Sequence, residues 1–341
     1  MKVSIILPCR NESRFIASCL DSLLATAHPL DQLELLVVDG RSTDNTRDIV
    51  RNYAERFPGV RLIDNPKQIV PEALNIGIRC ATGDVIVRVD AHGIYPPEYV
   101  PRLVAALLET GADNVGGLVV TMPANHSPMA EAVALGLAHP FGVGNSYFRI
   151  GTAQRRYVDT VPYGCWRREA FDRFGMFDVE LVRDQDEEFN YRIVGAGGKV
   201  LLLPDVVSYY YARETPAKAA HMLYQYGCFK PLVARKVGRV ATVRQLVPPA
   251  FVAALVLGML VAPFSRTVAL FWGALTVTYL VATLAVASSV AKTHGLRRGL
   301  ALALVFPVLH VAYGSGYLRG LWSMLVGRRL WGDPSVVPIT R

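Results

Sequence analysis

Residues 246–325 are almost continuously apolar, and this segment constrains the fold more than any other feature of the 341-residue chain. It contains three apolar runs, at 246–264, 268–291 and 299–318. A helix needs about 20 apolar residues to cross a bilayer, and each run reaches roughly that length. Core helices of a soluble domain are the alternative, but three such runs in succession leave no polar face for water. The sequence therefore predicts about three transmembrane helices.

The overall composition agrees with a membrane protein, since 52% of the residues are hydrophobic and only 19% are charged. The net charge of +8 suits anionic lipid, an anionic substrate or nucleic acid. Nucleic acid is the weakest of these partners, because basic residues interleaved with aromatics occur only at 218–244. The five cysteines are scattered and never form a CxxC, which indicates a reducing compartment. The apolar run near the N-terminus, at 3–7, is too short for a signal peptide, so we expect a cytoplasmic N-terminal domain on the inner membrane.

Residues 1–215 alternate short β-branched runs with amphipathic stretches, a pattern typical of an α/β domain. Strands are predicted at 3–7, 33–38, 60–63 and 84–87, with helices between them. Fully apolar strands joined by crossover helices indicate a mostly parallel sheet that is buried on both faces. Ligands bind such sheets at the carboxyl ends of the strands.

Polar residues follow three of these strands. They form the clusters PCRNE at 8–12, DGRS at 39–42 and DAH at 90–92. Because the carboxyl ends of parallel strands share one edge, we expect these clusters to form a single site. No G-x-G-x-x-G follows the first strand and no P-loop motif occurs in the chain, which argues against a dinucleotide or P-loop site.

Two of these clusters suggest particular ligands. Asp39 could accept the imide N–H of a uracil, a hydrogen bond that cytosine cannot donate. A turn or cap residue ahead of the segment at 42–46 is the alternative for Asp39, and the spacing alone leaves both open. Asp90 and His92 lie two residues apart. They are either metal ligands or part of a surface turn.

The ordered set of motifs resembles family 2 inverting glycosyltransferases with the GT-A fold. The motifs in the first half are PCRNE (8–12), VVDGRSTDNT (37–46), ALNIG (73–77) and RVDAHGIYP (88–96). Those in the second half, at 139–151, 159–193 and 310–320, resemble the membrane-bound branch of that family typified by succinoglycan-biosynthesis transferases.

The resemblance implies a role for each matching position at the predicted sheet edge. Asp39 corresponds to the acid that binds the uracil of a UDP-sugar, and Asp90 with His92 corresponds to a D-x-D motif. That motif holds a divalent metal against the donor diphosphate, and an imidazole ligand favours Mn²⁺ over Mg²⁺. The other positions that the resemblance assigns to the nucleotide-sugar site are Pro8, Arg10, Glu12 and Asn75.

The predicted helix at 184–198 carries the expected general base. The family places this base six residues before an arginine of the helix. Counting back from Arg192 gives Asp186. An inverting transfer needs one carboxylate to take the proton from the acceptor hydroxyl. An acidic first helical turn, favoured by the macrodipole, is the alternative and accounts for Glu187 or Glu188 rather than Asp186.

A basic amphipathic segment at 216–245 separates the GT-A domain at 1–215 from the transmembrane segment at 246–325, after which a tail occupies 326–341. We expect one or two interfacial helices here, either as a basic anchor or as a cradle for a lipid diphosphate. The candidate acceptor- or lipid-binding residues are Lys218, Tyr224, Gln225, Lys230, Arg235 and Lys236, with Arg239 and Arg244 as further basic positions.

The topology of the apolar segment has two alternatives. Three spans would place Arg328 and Arg329 outside, against the positive-inside tendency, whereas Arg297 and Arg298 would lie inside in agreement with it. A re-entrant hairpin broken at 314–316 would instead return the C-terminus to the cytoplasm.

Together these features predict an inverting transferase that moves a sugar, with glucose expected, from a UDP-sugar to a polyprenyl-diphosphate-linked saccharide in exopolysaccharide or cell-envelope glycan synthesis. No Q-x-x-R-W motif follows Asp186, so one sugar per encounter is expected rather than a threaded polymer. The alternatives are a nucleotidyltransferase that makes NDP-sugars and a non-catalytic scaffold of an export complex.

Overall fold

The computed structural model describes residues 1–240 and 242–327. Arg328, Arg329 and most of the predicted tail lie outside the described residues. The chain divides into two compact units, each built from two segments. The first unit contains residues 1–120 and 147–210, and the second contains the rest of the chain. Residues 121–146, which fall inside the predicted domain at 1–215, therefore group with the C-terminal part.

Within the described residues the strands form one nine-stranded sheet. They are β1 Val3–Cys9, β2 Leu33–Asp39, β3 Val60–Asp64, β4 Val85–Arg88, β5 Gly93–Ile94, β6 Asn114–Met122, β7 Arg156–Tyr157, β8 Cys165–Arg167 and β9 Val200–Tyr211.

The described helices flank the sheet strands in sequence and then fill the C-terminal part. They are α1 Ile16–Leu24, α2 Thr46–Arg56, α3 Val70–Cys80, α4 Tyr99–Thr110, α5 Pro128–Ala138, α6 Pro140–Val143, α7 Tyr147–Ile150, α8 Glu169–Phe174, α9 Gln185–Gly195, α10 Pro216–Val237, α11 Val247–Val261, α12 Arg266–His294 and α13 Leu296–Leu325. Short 3-10 turns cover Leu30–Gln32, Val243–Gln245 and Ala262–Phe264.

The strand order is β3-β2-β1-β4-β8-β6-β9-β5, with β7 beside β9. Strand β1 pairs in parallel with β2 and β4, and β2 pairs in parallel with β3, so the four predicted strands form a parallel group. The later strands pair antiparallel, as in β4 with β8 and β5 with β9. The sheet is therefore mixed, and the expectation of a mostly parallel sheet holds only for β1–β4.

Apolar side chains cover both faces of the sheet in the first unit. Alternate residues of β1 point to opposite faces, so Ile5 packs with Leu20 and Leu103 in one cluster, while Ile6 packs with Leu74 and Phe189 in the other. All seven residues of β1 are buried. This two-sided burial explains why β1, β2 and β4 are mainly apolar, without alternation.

The second unit contains three helices that are long and apolar enough to cross a membrane: Val243–Phe264, Arg266–His294 and Leu296–Leu325. This confirms the three predicted apolar helices. Helix α13 continues without a break through 314–316, so the described residues do not form the hairpin that would return the chain.

Close packing of α13 against α10 explains the glycines near the end of the third apolar run. A Cβ atom on Gly316 would lie 2.1 Å from the Tyr224 carbonyl oxygen, and one on Gly320 would lie 2.4 Å from that of Cys228. Glycines four residues apart lie on one helix face and let two helix backbones approach closely. The glycines thus serve helix packing within this unit.

Candidate active site

The carboxyl ends of the parallel strands meet at one edge of the first unit. Cys9 pairs with Asp39, and Asp39 pairs with Asp64, so β1, β2 and β3 end at the same level. Arg88, at the end of β4, pairs with Ile6. The residues that follow β4, beginning with Val89 and Asp90, therefore continue toward the same edge. The structure thus brings together the three polar clusters predicted from the sequence.

Left-handed backbone conformations concentrate around this edge. The described non-glycine residues with positive φ are Asn11, Arg41, Gln68, Tyr163 and Asp184, with φ between 54° and 60°. The first three follow β1, β2 and β3, and the other two precede β8 and α9. Such conformations cost about 1–3 kcal/mol each and cluster at functional sites. No sequence signal predicts these positions.

Asp39 is fully buried at the end of β2. Its carboxylate accepts hydrogen bonds from the Ser42 backbone N–H at 3.0 Å and from the Ser42 hydroxyl at 2.5 Å. It also accepts one from Arg47 at 2.7 Å, and Arg47 reaches Asp64 at 2.7 Å as well. These contacts match the turn alternative, and the Cys9 thiol also donates to Oδ1 of Asp39 at 3.7 Å. Together they occupy the roughly four acceptor positions of a carboxylate.

An open cleft of about 290 Å³ lies beside this turn and is lined by Arg41, Ser42, Arg47 and Asp64. Two of these residues contact the Asp39 carboxylate directly. A base bound in this cleft would have to displace one of these donors to reach the Asp39 carboxylate, so the uracil contact stays a prediction.

The other residues assigned to the nucleotide differ in exposure. Pro8 is buried within β1, whereas Arg10 is exposed. Asn75 is buried in α3 and clamps the backbone of Phe177, donating to its carbonyl at 2.8 Å and accepting from its N–H at 2.9 Å. Asn75 therefore holds the loop that leads to α9, a role that the sequence did not suggest.

The predicted metal ligands lie in the turn after β4. The Tyr95 hydroxyl accepts from the Asp90 N–H at 2.8 Å and fixes this turn. The Nδ1 atom of His92 is buried, has no hydrogen-bond partner among the described residues, and lies 3.4 Å from Oε1 of Glu12. The ring of His92 also meets Tyr210 edge to face, with centroids 5.6 Å apart.

The donor set fits a metal that is held partly by substrate. Among the residues that the structure describes, no three His, Cys, Asp or Glu side chains are placed to hold a metal ion, so Asp90 and His92 do not belong to an all-protein cage. One carboxylate and one imidazole leave most of a coordination shell to phosphate oxygens and water. The imidazole nitrogen suits Mn²⁺ better than Mg²⁺.

Arg88 is the main site residue that sequence reasoning missed. Its side chain is only 6% exposed, and it lies 3.2 Å from Oδ1 of Asp90 and 3.5 Å from Oδ2 of Asp186. Burial alone would lower the pKa of the Arg88 guanidinium, but these two carboxylates raise it above its usual value. A signal was present in the sequence, because a charged residue at the end of a buried strand needs a partner.

Asp186 lies in the first turn of α9, and its side chain is 27% exposed. One turn later on the same helix, Asn190 donates to the Thr160 hydroxyl at 2.9 Å and to the Val161 carbonyl at 2.8 Å. Asn114 donates to Asn190 at 2.6 Å. These buried hydrogen bonds anchor the face of α9 that carries Asp186, since residues four apart lie on one side of a helix.

The neighbouring acids of α9 have structural partners. Glu188 forms a two-pronged ion pair with Arg192 at 2.8 and 2.9 Å, and Arg192 also donates to the Met176 carbonyl at 3.0 Å. Glu187 accepts from the hydroxyl of Tyr191. Asp186 is therefore the acid of this turn that faces the Asp90 cluster.

The predicted lipid-binding residues do not share one surface of α10. Gln225 and Lys230 are buried, and Tyr224 is half-buried. Lys218 is exposed and pairs with Glu214 at 2.9 Å. The remaining basic residues near the end of this segment, Arg235, Lys236 and Arg239, are exposed, and Arg244 donates to the Asn145 side chain at 2.7 Å. The predicted amphipathic segment is thus mainly one helix that packs along α13.

Comparison with known proteins identifies relatives over nearly the whole chain. Residues 4–167 match the model of glycosyl transferase family 2. The succinoglycan biosynthesis protein ExoA of Rhizobium meliloti (strain 1021) is 30% identical over 321 residues, which cover 93% of this chain and 94% of that protein.

A second relative is the dolichyl N-acetyl-α-D-glucosaminyl phosphate 3-β-D-2,3-diacetamido-2,3-dideoxy-β-D-glucuronosyltransferase of Methanococcus voltae. It is 28% identical over 242 residues, covering 69% of this chain and 74% of that protein. Among solved structures, the mannosyltransferase PcManGT from Pyrobaculum calidifontis in complex with GDP-Man and Mn²⁺ superposes with a TM-score of 0.56. The two chains are 24% identical, and the match covers 94% of this chain and 87% of the other. This likeness confirms the fold class predicted from the sequence.

Proposed function

Because the chain belongs to glycosyltransferase family 2, we propose that it moves one sugar, expected to be glucose, from a UDP-sugar to a polyprenyl-diphosphate-linked saccharide with inversion of configuration. The observation that carries this proposal is the meeting of Asp90 and Asp186 on the two sides of Arg88. An inverting transfer needs one carboxylate near the anomeric carbon to take the acceptor proton, and positive charge near the leaving diphosphate. In this chain the carboxylates proposed for the base and for holding the metal contact one buried cation.

Asp186 is the proposed general base. Its partly exposed carboxylate can reach an acceptor hydroxyl, and the Arg88 guanidinium lies 3.5 Å from its Oδ2 atom. The acceptor oxygen forms a bond to the anomeric carbon as the bond from that carbon to the diphosphate oxygen breaks. The hydroxyl proton passes to Asp186, and the electron pair of the broken bond leaves with UDP.

Asp90 and His92 are the proposed metal ligands on the donor side. A divalent ion bound there would supply positive charge against the leaving diphosphate. Tyr95 holds the backbone of Asp90, and the Glu12 carboxylate lies beside Nδ1 of His92. A histidine that donates one ring N–H to a carboxylate is oriented to bind a metal through its other nitrogen, and the 3.4 Å between Nδ1 and Glu12 supports this arrangement.

The acceptor side of the proposal rests on the apolar helices and on the relatives. Three helices able to cross a membrane suit a substrate whose lipid part stays in the bilayer. One relative is named for transfer to a dolichyl-linked sugar phosphate, and another for succinoglycan synthesis. We therefore propose a multi-pass protein of the inner membrane that acts on a lipid-linked saccharide at the cytoplasmic face.

A panel of NDP-sugars tests the proposal. The purified full-length protein in lipid vesicles is incubated with each NDP-sugar and a lipid-linked saccharide extract, and release of free nucleotide is measured. We expect the highest release from UDP-glucose with Mn²⁺ present, and background release from the Asp186→Asn variant. Absence of release from every NDP-sugar would contradict the proposal and favour a non-catalytic scaffold. Formation of NDP-sugar from sugar phosphate would indicate a nucleotidyltransferase.

A further inference from the structure

We propose that Arg88 is a positioning residue that couples the donor side of the site to the general base. The inference rests on the proposed transferase function. In the structure, Arg88 is shared between Asp90 and Asp186. When the Asp90 side chain binds the donor complex, Arg88 keeps its contact with Asp186 and holds that carboxylate aimed at the acceptor.

The hydrogen bonds of Arg88 are incomplete for a structural arginine. Its Nε and Nη1 atoms are buried without a hydrogen-bond partner among the described residues. Arg192, in the same unit, instead hydrogen-bonds through Nε and both terminal nitrogens, to Glu188 and to the Phe174 and Met176 carbonyls. Leaving buried donors unpaired is costly, so a residue kept in this state has a use other than packing.

Arg88 lies between two groups that are held in place independently. Asp90 is fixed through the Tyr95 hydroxyl, and Asp186 lies on the helix face that Asn190 anchors. The side chains of both acids are about one-quarter exposed, at 25% and 27%, so substrate can reach each of them. The buried guanidinium contacts both acids. A movement of one acid therefore changes the electrostatic surroundings of the other.

The ring of Tyr163 also contacts Arg88. The guanidinium carbon lies 5.8 Å from the centroid of this ring, within the range of a cation–π contact. Tyr163 has a left-handed backbone with φ of 60°. This contact keeps Arg88 in position when one of its two carboxylates moves toward substrate.

The test separates donor affinity from turnover in the full-length protein. In Arg88→Met, we expect kcat to fall at least about 10²-fold, the lower range for loss of general-base catalysis. UDP affinity in the presence of Mn²⁺, measured by calorimetry, should be unchanged or tighter, because a cation that competes for Asp90 has been removed. Arg102→Met is the matched control, since Arg102 pairs with Asp205 at the surface of the same unit, and it should behave as wild type.

Two further variants make the test decisive. Arg88→Lys keeps the charge but not the fork that reaches both acids, so its kcat should lie between those of wild type and Arg88→Met. If Arg88→Met does not fold, Arg88→Lys provides the test, and its kcat should fall while its UDP affinity is kept. In an Asp186→Asn background, Arg88→Met should cause little further loss, because residues that act as a unit are not additive.

Wild-type kcat in Arg88→Met or Arg88→Lys, a parallel loss of kcat and UDP affinity, or a full additional loss in the double variant would each overturn the inference. These outcomes leave the proposed function intact, provided that the wild-type protein transfers sugar. A wild-type protein that consumes no NDP-sugar would overturn the function itself.

Discussion

Replacing Asp186 by asparagine tests the assignment of the general base most directly. Asparagine keeps the shape and the hydrogen-bonding reach of the side chain but cannot take a proton from the acceptor hydroxyl. Loss of general-base catalysis typically lowers turnover by about 10²–10⁴-fold, or about 3–5 kcal/mol of transition-state stabilisation. The neighbouring acids are not placed to replace it, because Glu188 is paired with Arg192 and Glu187 accepts from Tyr191. We therefore expect the loss to fall fully within this range.

Asp184→Asn is the matched control for this experiment. Asp184 precedes α9 with a left-handed backbone, at φ of 59°, which asparagine tolerates as well as aspartate. Its side chain does not cap the helix. Asp184 is the non-helical residue that precedes α9, whereas Asp186 lies in its first turn, 3.5 Å from Arg88. Asp184→Asn should therefore lose much less turnover.

The assay measures transfer at saturating donor together with UDP-sugar binding and thermal unfolding. We expect both variants to fold and to bind the donor, so that only the turnover of Asp186→Asn changes. A larger loss in Asp184→Asn would move the base to that residue. Near-wild-type turnover in both variants would remove the first turn of α9 from the chemistry.

Four further predictions follow from the described geometry. Calorimetry should show much tighter binding of UDP than of CDP or GDP, and equal affinity for UDP and CDP would refute the role of Asp39. EDTA should abolish activity, and Mn²⁺ should restore it at least as well as Mg²⁺. The His92→Ala variant should lose metal-dependent UDP binding. Full activity in excess chelator would show that Asp90 and His92 form only a turn. Gly316→Ala should lower the unfolding temperature because its Cβ would lie 2.1 Å from the Tyr224 carbonyl, whereas Gly273→Ala, with no neighbouring atom within 4 Å, should not. If three helices span the membrane, the C-terminus lies outside the cytoplasm, and a C-terminal reporter that works only in the cytoplasm should be inactive. Activity of that reporter would indicate an even number of spans.

The sequence predicted those parts of the fold that depend on local patterns. Strands β1–β4 were predictable because each is a short, mainly apolar run, and the shared edge followed from their parallel pairing. The short antiparallel strands β5, β7 and β8 were not predicted, since they are only two or three residues long and carry little periodicity. The grouping of residues 121–146 with the second unit depends on tertiary contacts of α5 with α13, which no local pattern shows.

In the candidate site too, local sequence patterns predicted single residues but not their tertiary contacts. Asp90, His92 and Asp186 were found because each stands in a motif with a fixed spacing, yet the spacing gives a residue's position and not its partners. Arg88 stands two residues before Asp90 and 98 residues before Asp186, and only the folded chain shows that it contacts both. The structure thereby changes the chemical problem from two separate acids to two acids that share one buried cation. Any substitution at one of these acids is therefore expected to alter the charge environment of the other, and kinetic effects at Asp90 and Asp186 should be read as a coupled pair.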